Sequence, residues 1–252
     1  MHIIKVDNIS KIYGSKKNSK KYMALKNISF EVGKGEFIGV MGASGSGKTT
    51  LLNILGSIDN PTSGRLTMNG TDVATLSKNQ LAKHRMDHIG FIFQDYNLLE
   101  TMTLKENIIL PLVLKGEKID FIEEKLNSLA GNLGITHVLD KYSYEVSGGE
   151  QQRAAACRAL INDPTMILAD EPTGNLDSKS GRDLLNLLTY INSAYNATIL
   201  MVTHDVFAAS YCQKIMFIRD GEICNQLYAG NDKKIFFDSI IEVMSTLGEV
   251  GK

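Results

Sequence analysis

The sequence predicts an α/β fold in which a largely parallel sheet is flanked by helices, with an antiparallel β subdomain at the N-terminus and an α-helical subdomain inserted into the core. Three observations support this prediction. Short apolar runs of strand length, such as residues 37–41 and 166–169, alternate with segments of helical apolar spacing, which is the order found in parallel sheets. Residues 3–6 and 25–32 have the patterning of two partly solvent-facing strands. Residues 95–163 have helical spacing and few strand signals.

The composition is that of an ordinary globular protein and gives no sign of a nucleic-acid partner. Hydrophobic residues make up 43% and charged residues 22% of the 252 residues, and a chain of this length can bury one core with an embedded subdomain. The 27 basic and 28 acidic residues leave a net charge of −1, so we expect no broad basic surface and no nucleic acid. The three cysteines form no C-x-x-C pair, which favours reduced thiols. We recognise no signal peptide and no apolar run of the roughly 20 residues that span a bilayer.

The first half of the chain contains the strands and the turn that matter for chemistry. Between the first two strands lies a basic segment, residues 16–21. It is interpreted as a solvated hairpin connection, with contact to a partner or to lipid head groups as the alternative. The buried strand 37–41 is followed by a glycine-rich turn and then by a predicted helix at 49–55. A further strand at 89–93 ends at Gln94.

The second half contains the helical insertion and the rest of the sheet. Helices are predicted at 105–115, 121–133, 148–162 and around 184–191, and strands at 166–169, 198–202, 214–218 and 222–227. The tail has apolar residues at helical spacing from Phe236 to Leu247, and it either packs on its own domain or docks a partner. The predicted boundaries are 1–94 and 164–228 for the α/β core with its β subdomain, 95–163 for the helical subdomain and 229–252 for a C-terminal helical tail.

The first chemical motif is G-A-S-G-S-G-K-T at positions 42–49, which matches G-x-x-x-x-G-K-[ST] between a predicted strand and a predicted helix. Backbone N–H groups can converge on polyphosphate oxygens only where side chains are absent, and the glycines permit that approach. The N-terminus of the following helix presents about half a positive charge to the phosphates. Lys48 is expected to reach the β- and γ-phosphates, and the Thr49 hydroxyl to bind Mg²⁺. The predicted nucleotide contacts are Gly42, Ala43, Ser44, Gly45, Ser46, Gly47, Lys48, Thr49 and Thr50.

Two adjacent carboxylates, Asp170 and Glu171, end a buried strand. In parallel α/β sheets, ligands gather beyond the carboxyl ends of the strands, where the glycine-rich loop also lies. We assign Asp170 to Mg²⁺ and Glu171 to the attacking water as general base; two solvated acids at a strand end are the alternative in isolation. His204 follows the strand 198–202 and is placed to donate to the γ-phosphate and to orient the water. Gln94 offers its amide oxygen to Mg²⁺ and its NH₂ group to the water.

The segment S-G-G-E-Q-Q-R at 147–153 completes a set of motifs that strongly resembles the ABC transporter ATPase family. The rest of the set occurs in family order: the phosphate loop, Gln94, the acid pair, N-L-D at 175–177 and His204. The resemblance covers nearly the whole chain. It implies a P-loop NTPase core of the RecA-like type that hydrolyses ATP with Mg²⁺.

The signature segment also has a physical interpretation. Ser147 is a good helix N-cap, and two glycines after it leave backbone N–H groups open at a second anion-binding helix end. In the family this end caps the γ-phosphate bound to another protomer, which implies a homodimer with two ATP molecules between its chains. The resemblance implies ATP contacts from Ser147, Gly148, Gly149 and Glu150, and a cross-dimer contact from Asp177.

Further roles are carried over from the family. Tyr13 is similar to the aromatic residue that stacks on adenine, although its residue type alone would favour ordinary packing. Gln94 resembles the loop residue that links the γ-phosphate site to the helical subdomain and the permease. Val146 and Glu150 stand where many members have Leu and Gln. Because the glutamate form is common in the branch of lipoprotein-release and macrolide-export ATPases, hydrolysis is still expected.

A narrower resemblance is to the bacitracin-resistance type of ATPase. It rests on residues 90–99, 169–179 and 208–212 and on the tail around Phe236. Members of that type serve antimicrobial-peptide resistance in Gram-positive bacteria, pair with one large permease and commonly act with a sensor histidine kinase. The resemblance therefore implies a peripheral subunit at the cytoplasmic face of the cell membrane, bound to an integral-membrane permease.

Three alternatives stay open at this point. Lipoprotein release or remodelling linked to cell division would use the same branch of ATPases. A soluble ABC protein of DNA repair or translation usually has long coiled-coil insertions or two fused cassettes, neither of which this sequence contains. A GTP switch protein needs an N-K-x-D motif, which the sequence lacks, and it would leave residues 147–153 unexplained.

Overall fold

The computed structural model describes residues 2–14, 21–174 and 176–248. Of the predicted basic segment 16–21, only Lys21 lies within these ranges, and Asn175 and residues 249–252 lie outside them. In the described ranges the strands form two sheets, one antiparallel and one mostly parallel. The predicted α/β fold with an N-terminal antiparallel β subdomain is confirmed. The exact domain boundaries stay a prediction.

The two sheets differ in topology. The antiparallel sheet has the order 2-1-4-5 and consists of β1 (His2–Tyr13), β2 (Tyr22–Gly33), β4 (Ser63–Met68) and β5 (Thr71–Asp72). The six-stranded sheet has the order 10-9-3-8-7-6 and consists of β3 (Phe37–Met41), β6 (Ile89–Phe93), β7 (Met166–Asp170), β8 (Ile199–Val202), β9 (Lys214–Arg219) and β10 (Glu222–Tyr228). Its strands are parallel except for β10, which pairs antiparallel with β9.

The helices flank the six-stranded sheet. They are α1 (Lys48–Leu55), α2 (Lys78–His88), α3 (Leu104–Lys115), α4 (Ile119–Asn132), α5 (Gly148–Leu160), α6 (Ser178–Tyr195), α7 (Val206–Ala209) and α8 (Lys233–Thr246). Short 3-10 turns occupy Val73–Thr75, Thr136–Val138 and Ser143–Glu145. No helix in the described ranges is both long enough and apolar enough to span a bilayer.

The core lies on both faces of the six-stranded sheet. Because side chains alternate along a strand, neighbours such as Phe37 and Ile38 belong to different buried clusters. One cluster joins the sheet to α3–α6 and α8, and the other joins it to α1 and the antiparallel sheet. Phe236, Ile240 and Met244 of α8 are buried in the first cluster, so the tail packs on its own domain.

Among the described residues, the strands β4 and β5 and the helices α2 and α7 were not predicted from the sequence. The first half of β4 is exposed, and in α2 only His84 is buried, so neither shows an apolar period. One signal for α2 was present, because Ser77 and Gln80 form a capping box at its start.

The register of the parallel strands brings the predicted site residues together. Phe93 pairs with Asp170, and Asp170 pairs with Val202 on the other side. The residues that follow these strand ends, Gln94, Glu171 and the segment up to His204, therefore leave the sheet at one edge.

Candidate functional site

The loop between β3 and α1 has a backbone that only glycine allows at two positions. Gly42 has φ +153°, and a Cβ there would lie 2.1 Å from the Ile218 carbonyl oxygen. Gly47 has φ +110°, and a Cβ there would lie 2.5 Å from the Ala24 carbonyl oxygen. Gly47 is also the N-cap of α1 and has no side chain to occupy the helix N-terminus. The loop therefore packs tightly against its own domain and leaves a helix N-terminus open to an anion.

Lys48 is the first residue of α1, directly after this loop, and is 7% exposed. Its Nζ donates to the carbonyl oxygens of Gly42 at 2.7 Å and Ala43 at 2.8 Å. Ala43, Ser44 and Gly45 are exposed. Residues 43–45 of the loop are thus exposed to solvent, whereas the Lys48 ammonium group is hydrogen-bonded to carbonyl oxygens of the loop.

Asp170 has a buried carboxylate oxygen, Oδ1, with no hydrogen-bond partner. Burial is the main cause that raises the pKa of Asp170; Glu171 raises it further and Lys48 lowers it. An unpartnered buried carboxylate oxygen is costly in a folded chain, and a hard cation is the kind of ligand that would satisfy it. The effect of Lys48 indicates that its ammonium group lies near the Asp170 carboxylate.

Glu171 and His204 contact each other directly. His204 Nδ1 lies 2.6 Å from Glu171 Oε2. Glu171 has φ +46°, and its N–H donates to the Val202 carbonyl oxygen at 2.9 Å. A left-handed backbone at a non-glycine residue costs free energy and is common at functional sites. Here it turns the Glu171 side chain away from the strand direction and toward His204.

Gln94 lies against the loop that follows Glu171. A Cβ placed on Gly174 would be 3.0 Å from Gln94 Cδ and 3.0 Å from Gln94 Nε2. The absence of a side chain at Gly174 therefore makes room for the glutamine amide. The structure thus brings Lys48, Asp170, Glu171, His204 and Gln94 to one edge of the sheet, as predicted.

The segment after Gln94 is held by α5. Tyr96 and Asn97 have φ values of +58° and +48°. Arg158 of α5 donates to the carbonyl oxygen of Tyr96 at 2.7 Å and to that of Asn97. A Cβ on Gly148, at the start of α5, would lie 3.3 Å from the Tyr96 hydroxyl oxygen. Arg158 was not predicted from the sequence, because nothing in the sequence pattern indicates a partner about 60 residues away.

The signature segment forms the N-terminus of α5. The Ser147 hydroxyl contacts Glu150 Oε2 at 2.7 Å and also accepts from the Glu150 N–H, while the Ser147 N–H donates to Glu150 Oε2. His137 Nε2 lies 3.1 Å from Glu150 Oε1. The hydrogen bonds from Ser147 are the first of the causes that lower the pKa of Glu150. Ser147 and Gly148 are exposed, so this helix end is open to solvent.

Thr49 and Thr50 lie in the first turn of α1, and the predicted contacts Tyr13 and Asp177 lie on other elements. Tyr13 is 39% exposed, and its hydroxyl donates to Asp59 Oδ2 at 2.8 Å. Asp177 is the N-cap of α6 and accepts from the N–H groups of Lys179 and Ser180. These bonds, first of all those from Ser180, hold the pKa of Asp177 below its ordinary value. Asp59 was not predicted, since its pairing with Tyr13 joins residues that are distant in the chain.

These features define a P-loop nucleoside triphosphatase: an open helix N-terminus behind a glycine loop, with a carboxylate pair at the adjacent strand end. A family model described as ABC transporter matches residues 25–174. The chain belongs to the ABC transporter family, as an ATP-binding subunit that hydrolyses ATP.

Individual relatives cover almost the whole chain. It is 50% identical over 248 residues to the uncharacterized ABC transporter ATP-binding protein YvcR of Bacillus subtilis, covering 98% of this chain and 96% of that one. It is 49% identical over 251 residues to the bacitracin export ATP-binding protein BceA of Halalkalibacterium halodurans, covering 99% and 98%. The dimeric ATP-binding cassette MJ0796 of Methanocaldococcus jannaschii, solved in a post-hydrolysis state with ADP and Pi, superposes with a TM-score of 0.79 at 35% identity, covering 91% of this chain and all of that one.

Proposed function

We propose that this chain powers a separate membrane permease that protects the cell from bacitracin-like antimicrobial peptides. The likeness to the bacitracin export ATP-binding protein, 49% over nearly the full length of both chains, carries the choice of substrate class. The permease, and a sensor histidine kinase acting through it, belong to this proposal. So does attachment at the cytoplasmic face of the membrane, where ATP is available.

The proposed hydrolytic machinery is built from the edge of the sheet. Glu171 accepts a proton from the attacking water, because its carboxylate has one oxygen against His204 and the other available. His204 donates from Nδ1 to Glu171, and Nε2 donates to a γ-phosphate oxygen when the ring carries a proton on both nitrogens. Lys48 and the N-terminus of α1 hold the phosphates. Gln94 links the γ-phosphate site to residues 96 and 97, whose carbonyl oxygens accept hydrogen bonds from Arg158.

Mg²⁺ fits the same place. Asp170 Oδ1 is a buried oxygen without a partner, and the Thr49 hydroxyl and Gln94 amide oxygen are the other protein groups proposed to hold the ion. No group of three or more His, Cys, Asp or Glu side chains suited to a metal occurs among the described residues, so phosphate oxygens and water would complete the ligand shell. A bound Mg²⁺ supplies charge neutralisation at the β- and γ-phosphate oxygens.

The complete site is proposed to need two copies of the chain. The N-terminus of α5 is open and Ser147 is exposed, so the backbone N–H groups there can bind an anion. In the proposed arrangement these N–H groups do not contact the nucleotide bound at the phosphate loop of the same chain. Two chains related by a two-fold axis would each place this helix end on the ATP of the other. The dimeric state of the MJ0796 cassette supports this proposal. Asp177, at the start of α6, is proposed to contact the partner chain.

The test separates hydrolysis from the substrate class. Purified Glu171→Gln protein is expected to bind ATP like the wild type and to hydrolyse it about 10²–10⁴-fold more slowly. Cells that lack this chain are then given the wild type or Glu171→Gln together with the permease. Bacitracin tolerance restored by the wild type alone supports peptide protection. Active ATPase with no effect on tolerance would disprove the substrate class while leaving the ATPase intact.

A further inference from the structure

Tyr13 is held in place by side chains that lie outside the phosphate loop. Its hydroxyl donates to Asp59 Oδ2 at 2.8 Å. Lys11 Nζ lies 2.6 Å from Asp59 Oδ1 and 4.9 Å from the centroid of the Tyr13 ring. Lys11 also donates to the Asn60 carbonyl oxygen at 2.7 Å. The ring is thus fixed at its hydroxyl by a carboxylate and on one face by an ammonium group.

Asp59 is in turn attached to the helix that follows the phosphate loop. Its N–H donates at 3.1 Å to the carbonyl oxygen of Asn53, which lies in α1. The side chain of Thr50, in the first turn of α1, also acts on the Tyr13 hydroxyl and lowers its pKa, against the larger effects of burial and Asp59. The position of the aromatic ring is therefore set relative to the same helix whose N-terminus faces the phosphate site.

The charges agree with this arrangement. Burial acts to raise the pKa of Asp59, but hydrogen bonds from Lys11, Tyr13 and the Asn60 N–H outweigh it and hold the pKa below its ordinary value. Asp59 is therefore a carboxylate at neutral pH and can accept from Lys11 and Tyr13 together. Burial, followed by the bond to Asp59, raises the pKa of Tyr13, so the phenol keeps its proton for that bond.

We propose that Asp59 is a positioning residue for the nucleotide base: with Lys11 it holds the Tyr13 ring at a fixed place relative to α1, so that the base stacks on the ring face opposite Lys11. This inference rests on the proposed role of Tyr13 as the ring that stacks on adenine, and it adds the residues that hold the ring. A ring fixed before binding loses less conformational freedom when the base arrives, and base–aromatic stacking strengthens accordingly.

The test compares a ligand that has a base with one that does not. Affinities for ADP and for inorganic pyrophosphate are measured by calorimetry on the wild type, Asp59→Asn, Tyr13→Phe and the double variant. Asp59→Asn is expected to weaken ADP by roughly three- to tenfold and to leave pyrophosphate unchanged. Tyr13→Phe keeps the ring but removes the hydroxyl, so it should lose a similar factor. The double variant should lose no more than either single one, because both remove the same link.

The matched control is Asp7→Asn. Asp7 lies in β1 and, like Asp59, pairs with a lysine, with Lys5 Nζ 3.3 Å away, and its loss should leave ADP affinity unchanged. Equal weakening of ADP and pyrophosphate by Asp59→Asn would overturn the inference, since Asp59 would then act on the phosphate loop through α1. Wild-type ADP affinity in Asp59→Asn would also overturn it. A wild-type chain that binds no ADP would instead refute the proposed function itself.

Discussion

Replacing Arg158 with methionine tests how strongly α5 holds the segment after Gln94. The guanidinium donates to two carbonyl oxygens, those of Tyr96 and Asn97, and both residues have left-handed backbones that cost about 1–2 kcal/mol each for a residue with a side chain. Hydrogen bonds to a charged group contribute about 1.5–3 kcal/mol each. The two bonds therefore exceed the backbone cost by a small margin, and without them the segment relaxes toward solvent.

We expect Arg158→Met to lower the free energy of unfolding by about 1–2 kcal/mol, which is the margin left when the relaxed loop recovers the backbone cost of Tyr96 and Asn97. Urea denaturation of the nucleotide-free protein measures this change. The ATPase rate should fall by roughly tenfold, since Gln94 loses its fixed position, while ADP affinity changes by less than about twofold. The effect on ADP is smaller because the proposed role of Gln94 is at the γ-phosphate, which ADP lacks.

Arg65→Met is the matched control. Arg65 pairs with Asp72 at 2.9 Å, but its side chain is 66% exposed, and an exposed ion pair contributes at most about 1 kcal/mol. If Arg158→Met costs no more than Arg65→Met, or if the ATPase rate is unchanged, then α5 does not hold the segment after Gln94 as described.

Two further predictions concern the acid pair and the phosphate loop. Asp170→Asn should raise the melting temperature of the metal-free protein at pH 7 and lower the ATPase rate by at least about a hundredfold. The direction of the stability change follows from the raised pKa of Asp170, which is caused first by burial. A carboxyl group whose pKa is higher in the folded chain contributes its full stability below its unfolded pKa, and this contribution is lost as the pH rises through its folded pKa. The gain should therefore shrink toward pH 3, and a variant less stable than the wild type at pH 7 contradicts it. Gly42→Ala should cost about 2–4 kcal/mol of stability, because its Cβ would collide with the Ile218 carbonyl oxygen. Gly116→Ala, at φ +78° with open space around it, should cost only about 1–2 kcal/mol; equal losses in urea denaturation would rule out the collision.

The residues that could be predicted are those whose residue type suits only a few positions and roles in a fold. The glycines of the loop, the lysine after them and the acids at a strand end each have few alternative roles, and the alternation of strands and helices placed them at one edge of the sheet. The contact between Glu171 and His204 followed from that edge, since β7 and β8 are neighbours in register.

The residues that could not be predicted act through partners far away in the sequence. Arg158 binds carbonyl groups about 60 residues earlier, and Asp59 binds a hydroxyl 46 residues earlier. Polar side chains such as these can also hydrogen-bond to water at the protein surface, so the sequence pattern alone does not identify their partners in the chain. The helix α2 was missed for a related reason, because it buries only His84 and shows no apolar period.

In the proposed dimeric site, one chain contributes the phosphate loop and its twin contributes the helix end at Ser147. Cysteines are placed singly at the exposed positions Ala43 and Ser147 in two separate preparations, both with Glu171→Gln to retain ATP and with the exposed Cys224 changed to serine. After mixing with ATP and a short thiol cross-linker, we expect a product of twice the chain mass that joins one variant to the other and is absent without ATP. Bound ATP in both variants with no cross-linked product between them would contradict a site shared between two chains.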